Sequence, residues 1–253
     1  MKIVKAGTNP EPAQYELNNR ALARKAASEG YVLLENDGIL PLKEKKVALY
    51  GSGARMTVKG GTGSGQVRER YSVSIAQGME NAGFEITTTA WLDRFDKFYA
   101  DTYEAYRLEQ EEKVKGIMEF SKILHLVTPF QHPTGIPVTE EDVAFSACDT
   151  AIYVLARQAG EGNDRKDIQG DYRLDDVERE NLEFVSRHYK NFIVVINAGG
   201  VIDVSFLDKL HVSALVYYVQ GGEEGGNVVA SGTPEQVCSC EASWTGKFLK
   251  PLL

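Results

Sequence analysis

Apolar residues in this chain follow two spacings, and the switch between them predicts its elements. Four runs carry apolar residues at nearly every position: Val47-Ala48-Leu49-Tyr50, Ala151-Ile152-Tyr153-Val154-Leu155-Ala156, Phe192-Ile193-Val194-Val195-Ile196 and Ser213-Ala214-Leu215-Val216-Tyr217-Tyr218-Val219. A run without polar alternation reads as a strand buried on both faces, and such strands belong to parallel sheets covered by helices. Residues 31–34 form a shorter strand or extended segment that the turn Asn36-Asp37-Gly38 breaks, and residues 84–88 form another strand. Elsewhere the apolar positions recur at three- and four-residue steps, which predicts helices. Residues 13–29 place Leu17, Ala21, Leu22 and Ala26 on one stripe, with Gly30 where a C-terminal cap belongs. Residues 72–81 and 91–126 continue the helical pattern, Thr139 opens a helix with an acidic first turn, and Val177, Leu182, Val185 and Tyr189 mark an amphipathic helix from Asp175 onward. Residues 129–137 contain Pro129, Pro133 and Pro137 and must be a loop. Strand, loop, helix and strand in repeated succession give the α/β class: a mostly parallel sheet between helical layers.

The long helical stretch carries Trp91, Phe95, Phe98, Tyr99, Tyr103 and Tyr106 at helical spacing, which reads as a packing stripe ahead of a sugar platform. With 253 residues the chain can be one large domain or a domain with an appendage. The balance of 28 basic against 36 acidic residues, a net charge of −8, argues against nucleic acid as the partner. No apolar run approaches the roughly 20 residues needed to span a bilayer, so no membrane association is expected. The first residues lack the apolar core of a secretory signal, so a cytoplasmic chain is expected. Cys148 reads as an ordinary buried thiol, and Cys238-Ser239-Cys240 lacks the further ligands that a zinc site needs, so neither a metal nor another cofactor is expected.

The chemistry concentrates after the strand at 151–156, where the chain runs Arg157-Gln158-Ala159-Gly160-Glu161-Gly162-Asn163-Asp164-Arg165-Lys166. This loop leaves the carboxyl end of a buried strand, the edge at which open α/β sheets bind ligands. Glycines on both sides of Glu161 let the backbone present its carboxyl group, and Asp164 and Arg165 are charged neighbours able to tune it. That is the layout of a positioned acid or base, and an unremarkable surface Glu is the competing reading. Gly51-Ser52-Gly53 after a strand is a partial dinucleotide fingerprint, weakened by Met56 at the third glycine position. Residues 60–65 are glycine-rich but lack the lysine of a phosphate loop.

The segment Gly160-Glu161-Gly162-Asn163-Asp164-Arg165 resembles the G-E-G-x-D-R loop of family 3 glycoside hydrolases, the β-glucosidase and β-xylosidase group. Residues 24–42, Gly60-Gly61-Thr62-Gly63-Ser64-Gly65, residues 197–203 and residues 220–227 resemble further segments of that family in the same order, covering about residues 14–228. The resemblance implies a six-stranded, three-layer α/β sandwich over residues 1–230, with Glu161 as general acid/base. It implies Gly63, Ser64, Asp164 and Arg165 as contacts to a β-linked glucoside or xyloside. The family's nucleophile is an Asp in an S-D-W-like motif on a barrel domain, and no such motif occurs in these residues, so activity of this chain alone is not expected. The exit loops at 60–65, 161–165, 199–203 and 220–227 are expected to gather at one sheet edge, and self-association to cover them. Residues 231–253 are expected to form a short helical tail of other origin, because the end of the chain resembles the carboxyl end of the excinuclease A subunit. A chimera joined near Gly226 fits this; a nucleotide-binding domain and a scaffold without activity are the alternatives.

Overall fold

A computed structural model of the chain describes residues 11–61, 71–117, 128–160 and 165–219. Its six strands are β1 (Tyr31–Asn36), β2 (Lys46–Tyr50), β3 (Glu85–Ile86), β4 (Thr150–Arg157), β5 (Asn191–Ala198) and β6 (Ala214–Val219), in the sheet order β1-β6-β5-β4-β2-β3. Every pairing between β2 and β3, β4, β5 and β6 along that order is parallel. The helices among the described residues are α1 (Gln14–Glu29), α2 (Ile75–Asn81), α3 (Thr89–Val114), α4 (Glu140–Ser146) and α5 (Asp176–His188). None is long and apolar enough to cross a membrane. The chain divides into two compact units, Met1–Val32 with Gly221–Leu253 and Leu33–Gln220. The second unit holds the site region.

The continuous apolar runs are explained by burial from both sides. Val47, Leu49, Tyr153, Val154, Phe192 and Val194 lose all contact with solvent, and α5 adds Leu182 and Val185 from one flank. Trp91 and Phe95 of α3 also join this core, with Trp91 edge-on to Tyr50. Polar groups inside it are paired: the Tyr50 and Tyr189 hydroxyls lie 2.8 Å apart, and Tyr189 donates on to Ser146. Local capping sets the helix starts. The Thr139 hydroxyl accepts from the Asp142 N–H while Asp142 accepts from Thr139, and Asp175 and Glu178 make the same reciprocal pair at α5. Arg94 grips both oxygens of Asp142 and ties α4 to α3.

Several boundaries differ from the sequence reading for identifiable reasons. The helix expected from residue 72 begins at Ile75, because Ser74 caps it through the Gln77 N–H. The strand expected over 84–88 pairs only at Glu85 and Ile86. Beyond it the Thr88 hydroxyl takes both the N–H and the carbonyl of Leu49, so a side chain replaces the next ladder step and the backbone turns into α3. Of the helix expected over 91–126, α3 ends at Val114, followed by Gly116 at a positive φ of 76°, and residues 118–126 lie outside the described residues. Gly30 does cap α1, but in the right-handed region. The stripe on α1 does not become core, since Leu17 and Leu22 stay exposed, and edge strand β1 leaves Leu33 and Leu34 exposed. The helix expected in the tail lies outside the described residues.

Gly51 explains the turn after β2. Its φ is +93°, and a Cβ there would sit 2.3 Å from the Val154 carbonyl oxygen, so the chain crosses directly over β4. Gly38 has a φ of +107° in open space. Replacing Gly38 with Ala should therefore cost only the left-handed strain, about 1 kcal/mol, while Gly51→Ala should cost clearly more than about 2 kcal/mol. Urea unfolding of both variants checks this; equal midpoints would show that the close approach to Val154 does not matter.

Candidate active site

The strand β4 ends on Arg157, whose charge lies inside an otherwise apolar wall. Its guanidinium donates to both carboxylate oxygens of Glu178 at 2.6 Å, with both side chains almost wholly buried. Burial alone would lower the arginine's proton affinity, and the Glu178 carboxylate more than restores it, so Arg157 stays firmly protonated. Burial works on Glu178 in the opposite sense and lifts its pKa. The two short contacts are those of the charged pair. A third donor, Nε, reaches the Asp171 carbonyl at 2.8 Å. One side chain thus joins the end of β4, the first turn of α5 and the segment that returns to α5 from the Glu161 loop.

That loop has described stems on both sides. Arg165 donates to the Gln158 carbonyl at 2.8 Å and to the Asp171 carboxylate, whose other oxygen accepts from the Lys166 N–H at 2.9 Å. The chain therefore returns beside the point from which it left. Burial pushes the Asp171 carboxyl up, but the Lys166 N–H and the Arg165 guanidinium outweigh it and hold it below its usual range. Glu161 and Asp164 lie between these stems, outside the described residues.

The neighbouring exits close on the same place. Gln158 donates to the Gly60 carbonyl at 2.7 Å, and a Cβ on Gly61 would lie 3.5 Å from the Ala159 carbonyl oxygen, so the glycine-rich segment after β2 runs against the stem after β4. The buried Asn197 amide, on β5, accepts from the Val58 N–H at 2.7 Å and donates to its carbonyl at 2.9 Å, replacing a strand partner for this segment. Beyond β5, a Cβ on Gly200 would meet the Arg165 side chain at 3.7 Å, and the Asp203 N–H reaches the Tyr172 carbonyl at 2.8 Å. The Ser205 backbone and hydroxyl hold the Asp203 carboxyl below its usual range.

Of the five residues singled out by sequence, only Arg165 is among the described ones, and its guanidinium is engaged by Asp171 and Gln158. Gly63 and Ser64 fall outside, as does the exit at 220–227. What is described of the loops after β2, β4 and β5 does converge at one carboxyl edge. Sequence reasoning gave no role to Arg157, Asp171 and Asn197, which stand inside the segments it singled out, and passed over Glu178; these four build that convergence. A signal existed: Arg157 closes an apolar strand, and Glu178 stands three residues after the capping Asp175. Gly51 and Gly53 turn toward β4, with Gly53 N–H on the Val154 carbonyl, and turns rather than a helix follow them to Met56, unlike a dinucleotide loop. Among the described residues no group of three or more His, Cys, Asp or Glu could hold a metal ion.

Comparison with known proteins places this geometry. The profile of the glycosyl hydrolase family 3 C-terminal domain matches residues 31–232. Beta-glucosidase A of Butyrivibrio fibrisolvens is 31% identical over 255 residues, covering 88% of this chain and 28% of that protein. The beta-glucosidase of Ruminococcus albus is 29% identical, covering 86% and 22%. The chain thus spans about a quarter of the length of these relatives. Among solved structures, a beta-glucosidase from Paenibacillus barengoltzii superposes with a TM-score of 0.62 at 30% identity, covering 86% of this chain and 22% of that one. Beta-glucosidase 3B from Thermotoga neapolitana, in complex with α-D-glucose, superposes with a TM-score of 0.58 at 32% identity, covering 85% and 28%. Separately, a 34-residue stretch, 13% of this chain, is 59% identical to UvrABC system protein A of Escherichia coli (strain K12), of which it covers 4%.

The buried pair makes a sharp prediction. Arg157→Met leaves Glu178 buried and unpaired and should cost about 3–5 kcal/mol, whereas the double change Arg157→Met with Glu178→Leu should recover most of that. Additive losses in urea unfolding would contradict the pairing. Asp171 gives a pH dependence of definite sign. Its folded pKa is depressed, so its contribution is complete above the unfolded value near ~3.9 and is lost as pH falls below it. The acid-induced fall in melting temperature below about pH 4 should be shallower in Asp171→Asn; an identical profile would show that Asp171 does not report on the loop stems.

Proposed function

This chain belongs to glycosyl hydrolase family 3 through its C-terminal domain, and on that premise we propose that it is the acid/base-bearing sandwich of a retaining β-glucosidase. The observation that carries the reading is the convergence of the β2, β4 and β5 exits around the stems of the Glu161 loop. In this reading Glu161 enters the reaction protonated and donates to the oxygen of the departing group. As a carboxylate it then takes a proton from the water that releases the sugar. Gly63, Ser64, Asp164 and Arg165 are the sugar contacts that the family resemblance implies, and of these Arg165 also holds the loop stem through Asp171 and Gln158. Arg157 and Asp171 act as positioning residues, since they fix where the loop leaves and returns.

A retaining mechanism needs a second carboxyl group about 5–5.5 Å from the first, and the family's nucleophile stands on a barrel of about 250 residues that these 253 do not contain. Protonating a leaving group without that opposing carboxylate leaves the oxocarbenium-like transition state unstabilised. These residues therefore carry half of a site. The stretch similar to UvrABC system protein A supports a second origin for the end of the chain, and we place the junction near Gly226.

The purified chain should show no measurable turnover of aryl β-glucosides. Robust hydrolysis that disappears in Glu161→Gln would overturn the half-site reading and require a second carboxylate within the chain.

A further inference from the structure

Helix α3 splits into two parts that the sequence stripe does not separate. Trp91 and Phe95 are core, Tyr99 packs on Phe95 at the core's margin, and from there onward the aromatic residues gather on the proline-rich loop. Tyr99, Tyr103 and Tyr106 surround Phe130, with centroid separations of 5.6, 5.2 and 5.1 Å, and His132 completes the cluster at 4.9 Å from Phe130. The Tyr99 hydroxyl meets His132 Nδ1 at 2.7 Å, and Tyr106 donates to the Thr128 carbonyl at 2.6 Å, so the rings are held in place. Tyr103 itself remains 48% exposed.

The position of this cluster follows from the loop's own contacts. Ser146 lies at the base of α5 beside Tyr189, and Asp142 and Pro137 meet Arg94 and Trp91. Asn181, one turn into α5, bonds the backbone on either side of Pro137, at Ile136 and Val138. Thr134 bonds Asp175, which caps the start of α5 at the carboxyl edge. Before Thr134 the loop lies along α3, with His132 on Tyr99, Phe130 on Tyr103 and Thr128 on Tyr106. Thr134, two residues from His132, thus ties the loop that carries the cluster to the carboxyl-edge end of α5, the side on which the Glu161 stems converge.

We propose that this cluster, centred on the exposed ring of Tyr103 and on Phe130, binds a pyranose unit of a β-linked gluco-oligosaccharide. An all-equatorial pyranose presents C–H groups on its faces and hydroxyls around its rim. An aromatic face, with its negative quadrupole, fits the former while a tyrosine hydroxyl serves the latter. The surrounding helix surface carries Asp101, Glu104, Glu109, Glu111 and Glu112 against Lys97, Arg107 and Lys113, a net negative balance that disfavours phosphates, nucleic acids and anionic lipid surfaces but not an uncharged sugar. The choice of a glucan rests on the glycosidase reading above; the location rests on the cluster.

Calorimetric titration of the full chain with cellohexaose tests this without requiring hydrolysis. Binding is expected. Tyr103→Ala and Phe130→Ala should each weaken it about tenfold, Tyr103→Trp should keep it, and Glu161→Gln should leave it unchanged. Tyr103 is half exposed, so Tyr103→Ala should keep the melting temperature of the parent, which separates lost binding from lost folding. Absence of binding by the parent chain, or binding by both alanine variants as tight as the parent's, would overturn the proposal. So would a dimer that becomes monomeric in Tyr103→Ala without any change in sugar affinity, since the face would then be a self-interface. Survival of this binding in a chain that supports no glycoside hydrolysis even when combined with a family 3 barrel domain would sink the glycosidase reading alone.

Discussion

The charge of Arg157 is confined to the end of a strand that is apolar everywhere else, and much of the site region depends on how that charge is satisfied. Glu178 takes two of its donors and the Asp171 carbonyl a third. A buried ion pair is a poor source of net stability, because desolvation of both ions offsets most of their attraction, and apolar residues of similar volume often serve as well. What the pair supplies is position. Glu178 sits in the first turn of α5 and Asp171 in the segment leading to it, so the place where β4 ends and the place where its loop returns are set by one planar group with fixed donor directions.

Around that anchor, side chains repeatedly do the work of backbone pairing. Asn197 extends β5 sideways by offering Val58 both an acceptor and a donor, and Thr88 does the same for Leu49 at the opposite flank. Arg165 brings Gln158 beside its own turn, and Gln158 reaches across to Gly60. Loops at the end of a parallel sheet have no ladder of their own, and their buried backbone groups must still be paired. The polar side chains at 88, 157, 158, 165 and 197 meet that requirement, and those at 157, 158, 165 and 197 in doing so bring three exits together.

This division explains how much was legible in the sequence. Central strands announce themselves because burial on both faces leaves a run of apolar residues, and the caps at Thr139 and Asp175 show in the residue types they need. The class of fold and the order of its elements follow. Side-chain substitutes for the ladder leave no period: nothing in Phe84-Glu85-Ile86-Thr87-Thr88 says that the last threonine ends the strand by bonding Leu49. The glycines at 51 and 53 show the opposite failure, since their pattern suggests a ligand loop while the structure uses them to pass close over Val154. Leu17 and Leu22 form a helical stripe, yet they remain exposed on α1. Glu161 was found from its flanking glycines and from its resemblance to a family loop, while the residues that hold its stems were not, because their roles are set by contacts distant in the chain.

The account assigns this sandwich one chemical task, delivering and recovering a proton at the departing oxygen. That task has a signature that no structural role shares: its loss matters when the departing group is a poor one and matters little when the group leaves without assistance. The most direct test combines the chain with a family 3 barrel domain and compares the parent with Glu161→Gln on an alkyl β-glucoside and on a dinitrophenyl β-glucoside. The account predicts that glycosylation of the barrel's nucleophile falls by about a hundredfold or more on the alkyl substrate and hardly at all on the dinitrophenyl one. Equal losses on both substrates, or none on either, would contradict it.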